Sequence, residues 1–244
     1  MTETNNKQPN WGALDALLDS KKTEQEELAK PSFLTPKIYP NTGDLFSTHP
    51  SHSVDCCVAD ISGGPLPLTP ILSNLFRLVK PNHHIYLLGS LSTHLQIPKL
   101  VSKSFPTRIV YRYPIIWVRT GLKDGQIIPS GTILPEDRYY PRQNYTIITM
   151  IANLVDSSQE PRKLTKSGQP NVIFAHNTPD WHTVPEEVYL NLFQRSCLPG
   201  EIILDPFFRP GNSILAGMKA GYKMIGSSTN PNNVEQLNNK LEKM

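Results

Sequence analysis

Cysteine is nearly missing from this sequence: there are three in 244 residues, and Cys56 and Cys57 sit side by side in the apolar run VDCCVAD. Such a set cannot build a disulfide framework and lacks the spacing of a metal site. The thiols are expected to be buried core residues, and no metal is assigned. Long hydrophobic runs are absent too, since none reaches the roughly 18 residues that span a bilayer. The polar start MTETNNKQPN lacks the apolar stretch of a secretory signal. Together these predict an intracellular protein that binds no membrane. Charge of one sign is also scarce. A net charge of +3 from 24 basic and 21 acidic residues is compatible with nucleic acid but falls short of a dedicated basic binding domain.

Proline, by contrast, is plentiful at 23 residues, which implies many loops around an ordinary core. A chain of this length buries one sizeable core and is short for two. Residues 1–31 therefore read as a loose N-terminal arm and residues 32–244 as one domain. Within the arm, Trp11, Leu14, Leu17 and Leu18 fall on one helical face. That face suits a docking helix for a partner or a helix folded back on its own domain.

From Val54 onward short apolar runs alternate with helical stretches. VDCCVAD reads as a strand, LTPILSNLFRLV as a helix, HIYLLGS as a strand and STHLQIPKLVSK as a helix, which predicts βαβ units and a mostly parallel, doubly wound α/β sheet. RIVYRYPIIWV and NYTIITMIA follow as β-rich runs suited to antiparallel strands at one side. The rhythm then restarts with the helix PEEVYLNLFQRSC, the strand EIILD, the helix GNSILAGMKAG, the strand YKMIGSS and the closing helix NNVEQLNNKLEKM. A strand ending in Asp, a glycine-bearing loop and a helix opening in small residues form the nucleotide-binding corner of an open α/β sheet. EIILDPFFRPGNSILAG has that form.

LPGEIILDPFFRPGNSILAGMKAGYKMIGSS resembles the donor-binding signature of amino-methylating DNA methyltransferases, which act on adenine N6 or cytosine N4. Asp205, Pro206, Phe207, Gly211 and Gly226 match it. Upstream, HNTPDWHTVPEEVYLNLFQRSC resembles the segment preceding that signature, GDLFSTHPSHSVDCCVADISGGP the catalytic-motif region, and LFRLVKPNHHIYLLGS the helix and strand after it. The resemblance spans about residues 36 to 244, in the permuted order called the β class. It implies a Rossmann-like S-adenosylmethionine-dependent methyltransferase fold.

The departures fall on the chemistry. In the family a DPPY- or NPPY-type motif accepts the hydrogens of the target amine and stacks an aromatic ring on the flipped base. Here Asp60, Ile61, Ser62 and Gly63 stand in its place. The acceptor Asp60 remains, while the prolines and the ring are gone and Gly63 and Gly64 loosen the loop. A lost stacking ring alone costs about 1–3 kcal/mol per base. The first glycine of the donor loop corresponds to Arg209, its serine to Pro210, and the acid that would hold the ribose hydroxyls to Ser228. Losing that charge-assisted bond costs about 1.5–3 kcal/mol. No cofactor is therefore expected, and S-adenosylmethionine is the ligand only if the pocket is still competent.

Without a ligand, Asp60 reads as a strand-end cap or loop anchor, and Asp205 and Phe207 as residues that shape the turn and fill the core beneath it. His52, His83, His84, His94, His176 and His182 have no recurring ligand spacing and read as surface or loop residues. For DNA the candidates are Arg138, Tyr139, Tyr140 and Arg142 in one loop and Arg162, Lys163 and Lys166 in another, where cations and aromatics suit phosphates and bases. The stretch from Asn153 to His176 is short where relatives insert a target-recognition region, so the chain is not expected to select a DNA sequence by itself. The resemblance implies a non-catalytic subunit that pairs with an active methyltransferase and works with DNA, in cytoplasm, nucleoid or nucleus. An active but divergent methyltransferase and a stand-alone binding scaffold are the alternatives.

Overall fold

The computed structural model describes residues 35–62, 67–123, 126–129, 145–166, 168–176 and 183–244. The arm over residues 1–31, with its expected helix, lies outside them. Ten strands and six helices are found among the described residues. They run β1 (Lys37–Tyr39), α1 (Thr42–Thr48), β2 (Val54–Asp60), α2 (Leu68–Leu78), β3 (Val79–Gly89), α3 (Leu91–Ser104), β4 (Ile109–Val110), β5 (Ile115–Lys123), β6 (Gln126–Pro129), β7 (Tyr145–Ala152) and β8 (Val172–His176). There follow α4 (Glu186–Ser196), β9 (Ile202–Asp205), α5 (Asn212–Lys219), β10 (Lys223–Ser227) and α6 (Pro231–Leu241).

One sheet takes the order β1-β10-β9-β2-β3-β7-β5-β6, with β4 beside β7 and β8 beside β5. From β1 to β3 all neighbours are parallel. β7 is antiparallel to β3 and β5, and β6 is antiparallel to β5. The expected parallel half with antiparallel strands at one side is what the chain adopts. β2 and β9 are buried along nearly their whole length, as unbroken apolar runs require when helices cover both faces. One face packs Val188, Leu192 and Phe193 of α4, Ile214 of α5 and Leu237 of α6 against Cys56, Val58, Tyr86 and Trp117. The other packs Leu72 and Leu75 of α2 and Ile97 and Val101 of α3 against Cys57, Ile85, Leu87 and Ile151. All three cysteines are buried, as expected.

Some elements carried too little signal to be read. β1 is three residues long, and α1 buries only Thr42 and Leu45, so no periodicity accumulates; Asn41 caps that helix by accepting from the Asp44 amide at 2.9 Å. β6 and β8 escaped for the same reason of length. RIVYRYPIIWV, read as one run, divides into β4 and β5 on either side of Pro114.

Of the histidines expected at the surface or in loops, His84 and His94 differ. His176 is exposed, and His182 lies outside the described residues. His84, however, is fully buried in β3. Its Nδ1 lies 2.8 Å from Ser196 Oγ, which in turn lies 2.6 Å from the Tyr86 hydroxyl. Half-buried His94 places Nδ1 2.8 Å from Thr149 Oγ1, tying α3 to β7. Spacing alone could not show this, because HHIYLL alternates as well with His inward as outward.

Burial, with the charges of His83 and Arg162 adding to it, pushes the His84 pKa down from 6.5 to about 4. The folded chain holds a neutral imidazole where the unfolded chain binds a proton, so its contribution is complete above pH 6.5 and is lost as pH falls toward 4. His84→Gln should lower stability at pH 7.5 yet lose less of it on acidification to pH 4.5, by up to about 1.4 kcal/mol per pH unit. Urea-unfolding midpoints across that range check this; parallel pH profiles would assign the loss elsewhere.

Candidate functional site

β2 and β9 lie side by side, with Cys57 opposite Leu204, but their crossovers leave in opposite directions, through α2 to β3 and through α5 to β10. A crevice opens where such crossovers diverge, at the carboxyl ends of the strands. Asp60 and Asp205 end those two strands.

Asp205 is fully buried and committed to its own turn. Oδ1 accepts from the Phe207 amide at 3.0 Å and Oδ2 from Ser213 Oγ at 2.5 Å. Burial pushes its pKa up from 3.8 to about 7, against the pull of those two hydrogen bonds. The next carbonyl, of Pro206, accepts from Thr42 Oγ1 at 2.9 Å and Ser227 Oγ at 2.8 Å. Buried Phe207 sets its ring edge-on to Phe46 at 6.3 Å.

The glycine loop is closed from behind by the last helix. Gly211 has φ +94°, and a Cβ there would lie 2.7 Å from Leu237 Cδ1, so only glycine fits. Lys240 Nζ donates to the Pro210 carbonyl at 3.3 Å. A Cβ on Gly226 would lie 2.7 Å from Ile214 Cδ1 and 2.9 Å from Phe208 Cδ1. Both glycines are thus required by packing within this chain. Ser228 is buried, and its Oγ accepts from the Asn230 amide at 3.2 Å and from Asn233 Nδ2 at 3.0 Å. The hydroxyl in the ribose-acceptor position serves the start of α6.

Asp60 is nearly as buried. Oδ1 accepts from the Ser62 amide at 2.9 Å and Ser62 Oγ at 2.5 Å, a turn closed by the carboxylate itself. Oδ2 faces Arg209, whose Nε stands 3.8 Å away as an ion pair. Residues 63–66 lie outside the described residues. Two neighbours were missed in the sequence. Tyr189 of α4 is completely buried, and burial together with the charges of Asp205 and Asp60 raises its pKa well above the usual phenol value. Arg119 of β5 feels the charge of Asp60, although burial lowers its pKa. Its guanidinium lies 4.4 Å from the Trp117 ring centroid, Nη2 donates to Thr146 Oγ1 at 2.8 Å, and Nε is buried with no hydrogen-bond partner among the described residues. Tyr189 looks like any core residue of an amphipathic helix. Arg119 was findable, because an arginine within the apolar run IIWVRT must be paired or functional.

Among the described residues, the basic candidates Arg162, Lys163 and Lys166 do not join this crevice. Arg138, Tyr139, Tyr140 and Arg142 lie outside the described residues. Arg162 Nη2 pairs with Glu201 Oε1 at 2.8 Å, and its backbone amide donates to the Asn82 carbonyl. Lys166 Nζ donates to Gln194 Oε1 at 2.7 Å, and Lys163 is exposed. Glu201 precedes β9 and Asn82 lies in the first half of β3, so these three cations sit toward the amino ends of the strands. The seven residues of β2 put roughly 20 Å between the two ends.

Compared by sequence, the chain matches no family model and no curated protein. Compared by structure, it is similar to M1.HpyAVI in its complex with SAM, with a TM-score of 0.64 at 14% identity over 84% of this chain and 98% of that one. It is similar to PvuII DNA methyltransferase (cytosine-N4-specific), with a TM-score of 0.64 at 10% identity over 86% and 88%. TTHA0409 of Thermus thermophilus, described as a candidate DNA modification methylase, gives 0.60 at 15% identity over 86% and 95%. The chain has the Rossmann-like methyltransferase fold of these proteins.

The buried Asp205 carboxyl makes a clear prediction. Its folded pKa lies above the unfolded value, so its contribution is present below pH 3.8 and is lost as pH rises through about 7. Because His84 opposes this slope in the unaltered chain, Asp205→Asn should make stability rise with pH between 4 and 6.5, by up to about 1.4 kcal/mol per pH unit relative to the unaltered chain, while leaving the fold intact. Denaturant unfolding at several pH values measures it, and an unchanged slope would mean that the carboxyl ionises freely in the fold.

Proposed function

We propose that this chain is a catalytically degenerate DNA methyltransferase-like protein, a non-catalytic subunit that pairs with an active methyltransferase and supports its DNA binding or stability. The observation that carries this reading is the Arg209 guanidinium, directed at Asp60 across the crevice. A donor with a sulfonium and an ammonium group would meet a cation there, and Pro210 fixes the backbone beside it where close approach is needed. The acceptor expected for its ribose is Ser228, whose oxygen already takes two hydrogen bonds. The residues present therefore fit S-adenosylmethionine poorly, and no catalytic step is derived through it.

What the residues do instead is hold the scaffold. Asp60 closes its loop, Asp205 closes the β9–α5 turn, and Arg209 offsets part of the negative charge between them. A pre-organised transition-state site needs an acceptor aimed at the amine and a ring beneath the base, and Asp60 has one oxygen on Ser62 and the other facing Arg209. The basic and aromatic loop holding Arg138, Tyr140 and Arg142 is proposed to meet DNA within the complex. Arg162, Lys163 and Lys166, at the far end of the sheet, are proposed to act only on DNA that extends past the crevice or wraps the assembly.

Calorimetry of the purified chain with S-adenosylmethionine should show no binding at micromolar concentrations. A dissociation constant in the low micromolar range would mean that the pocket is remodelled and competent, and would favour an active divergent enzyme. In the assembly, Asp60→Ala should leave methylation unchanged, whereas the equivalent change in the partner abolishes it. Arg142→Glu should weaken DNA binding of the complex several-fold at low salt without dissociating it; unchanged affinity removes the DNA role of that loop.

A further inference from the structure

We infer that the open sheet face formed by Tyr145, Val118 and Phe174, walled by Leu91 and Leu95 of α3, is where the intact methyltransferase chain docks; this rests on the subunit reading above. The register puts these residues together. Val118 pairs with Tyr145 of β7 and with Phe174 of β8, and Ile116 pairs with Ile147 and Val172, so all six share one face. α3 covers the adjoining part of that face, with His94 over Thr149. On the side of His94 turned away from the core, the helix presents Leu91 and Leu95, which follow the three- and four-residue spacing of one stripe.

This face is more exposed than a doubly wound sheet should leave it. Phe174 is 68% exposed, Leu95 60%, Leu91 46% and Tyr145 38%. Their uncovered surface is on the order of 400 Å². A standard interface takes about 800 Å² from each partner, a little over half of it non-polar. The patch is therefore of the size that the apolar centre of a stable pair needs.

Charge specifies the occupant. α3, β5, β7 and β8 contain no Asp or Glu, but α3 carries the exposed Lys99 and Lys103. A second copy would set these cations against their own kind. The fitting partner is a chain of similar fold that surrounds an apolar patch with carboxylates. Tyr145 lies just beyond the carboxyl end of β3, so a chain bound here sits on the flank of the sheet beside its crevice end.

The test tags the full chain in its source organism and identifies what co-purifies. The expected companion is a methyltransferase with complete Asp-Pro-Pro-Tyr-type and donor-loop motifs. Phe174→Asp and, separately, Leu95→Asp should each weaken its affinity at least tenfold while the variant's own melting temperature holds. Lys99→Glu should weaken it more at low salt than at high salt. Leu198→Asp, at another exposed apolar residue, should change nothing. If the companion is retained by all three face variants, the surface is wrong and the subunit reading stands. If no such methyltransferase accompanies the wild-type chain, both fall. Cross-linking through this face to a second copy of the chain overturns the occupant. Should Phe174→Asp fail to fold, Leu95→Asp and Lys99→Glu decide alone.

Discussion

The carboxyl group of Asp205 is the point on which the domain turns. It is buried between the end of β9 and the start of α5, where it receives the Phe207 amide and the Ser213 hydroxyl. A turn bound in this way sends the Pro206 carbonyl toward Thr42 and Ser227, which fixes α1 and β10 on the same edge. A ligand-binding signature can therefore survive with no ligand. Its aspartate, its aromatic and its glycines answer to neighbouring side chains, and a chain that stopped binding a donor would still need them to fold.

The same economy separates what is retained in the crevice from what is lost. Gly211 and Gly226 are retained because Leu237, Ile214 and Phe208 occupy the space beside them. Arg209 and Pro210 are only partly buried, where a ligand would constrain the choice, while at buried Ser228 the hydroxyl is held by Asn230 and Asn233. The boundary between family-like and altered residues thus follows packing within the chain. In the other half of the molecule Asn153 plays an equivalent tying role, donating to the carbonyls of Phe76 and Val79 beneath the start of β3.

Much of the fold was legible because its strands and helices are long or apolar enough for periodicity to register. VDCCVAD, LTPILSNLFRLV, NYTIITMIA and EIILD became elements close to the expected bounds. The three-residue β1, the edge strand β8 and the weakly apolar α1 gave too few repeats. Of the site, the strand-end acids and the replaced loop positions were visible, because a motif fixes them in order. Tyr189 was not, since it comes from α4 and reaches the crevice only through tertiary packing, whereas Arg119 left a signal as the one charge in an apolar run of β5 but none that tied it to Asp60. The placement of Arg162 was equally invisible, because its partner Glu201 lies in a different segment and only the sheet brings the two together.

His84 and Asp205 together have a consequence that neither has alone. In mildly acidic solution the unfolded chain carries a charged imidazolium and a charged carboxylate; the folded chain carries neutral forms of both, with the pKa values displaced to about 4 and about 7. Folding thus amounts to an internal handover of one proton from the histidine to the aspartate. The number of protons bound by this pair is the same in both states from roughly pH 4 to 6.5. Over that interval the interior holds two ionisable groups without burying an ion at either, and the medium's acidity gives the pair no lever on the fold.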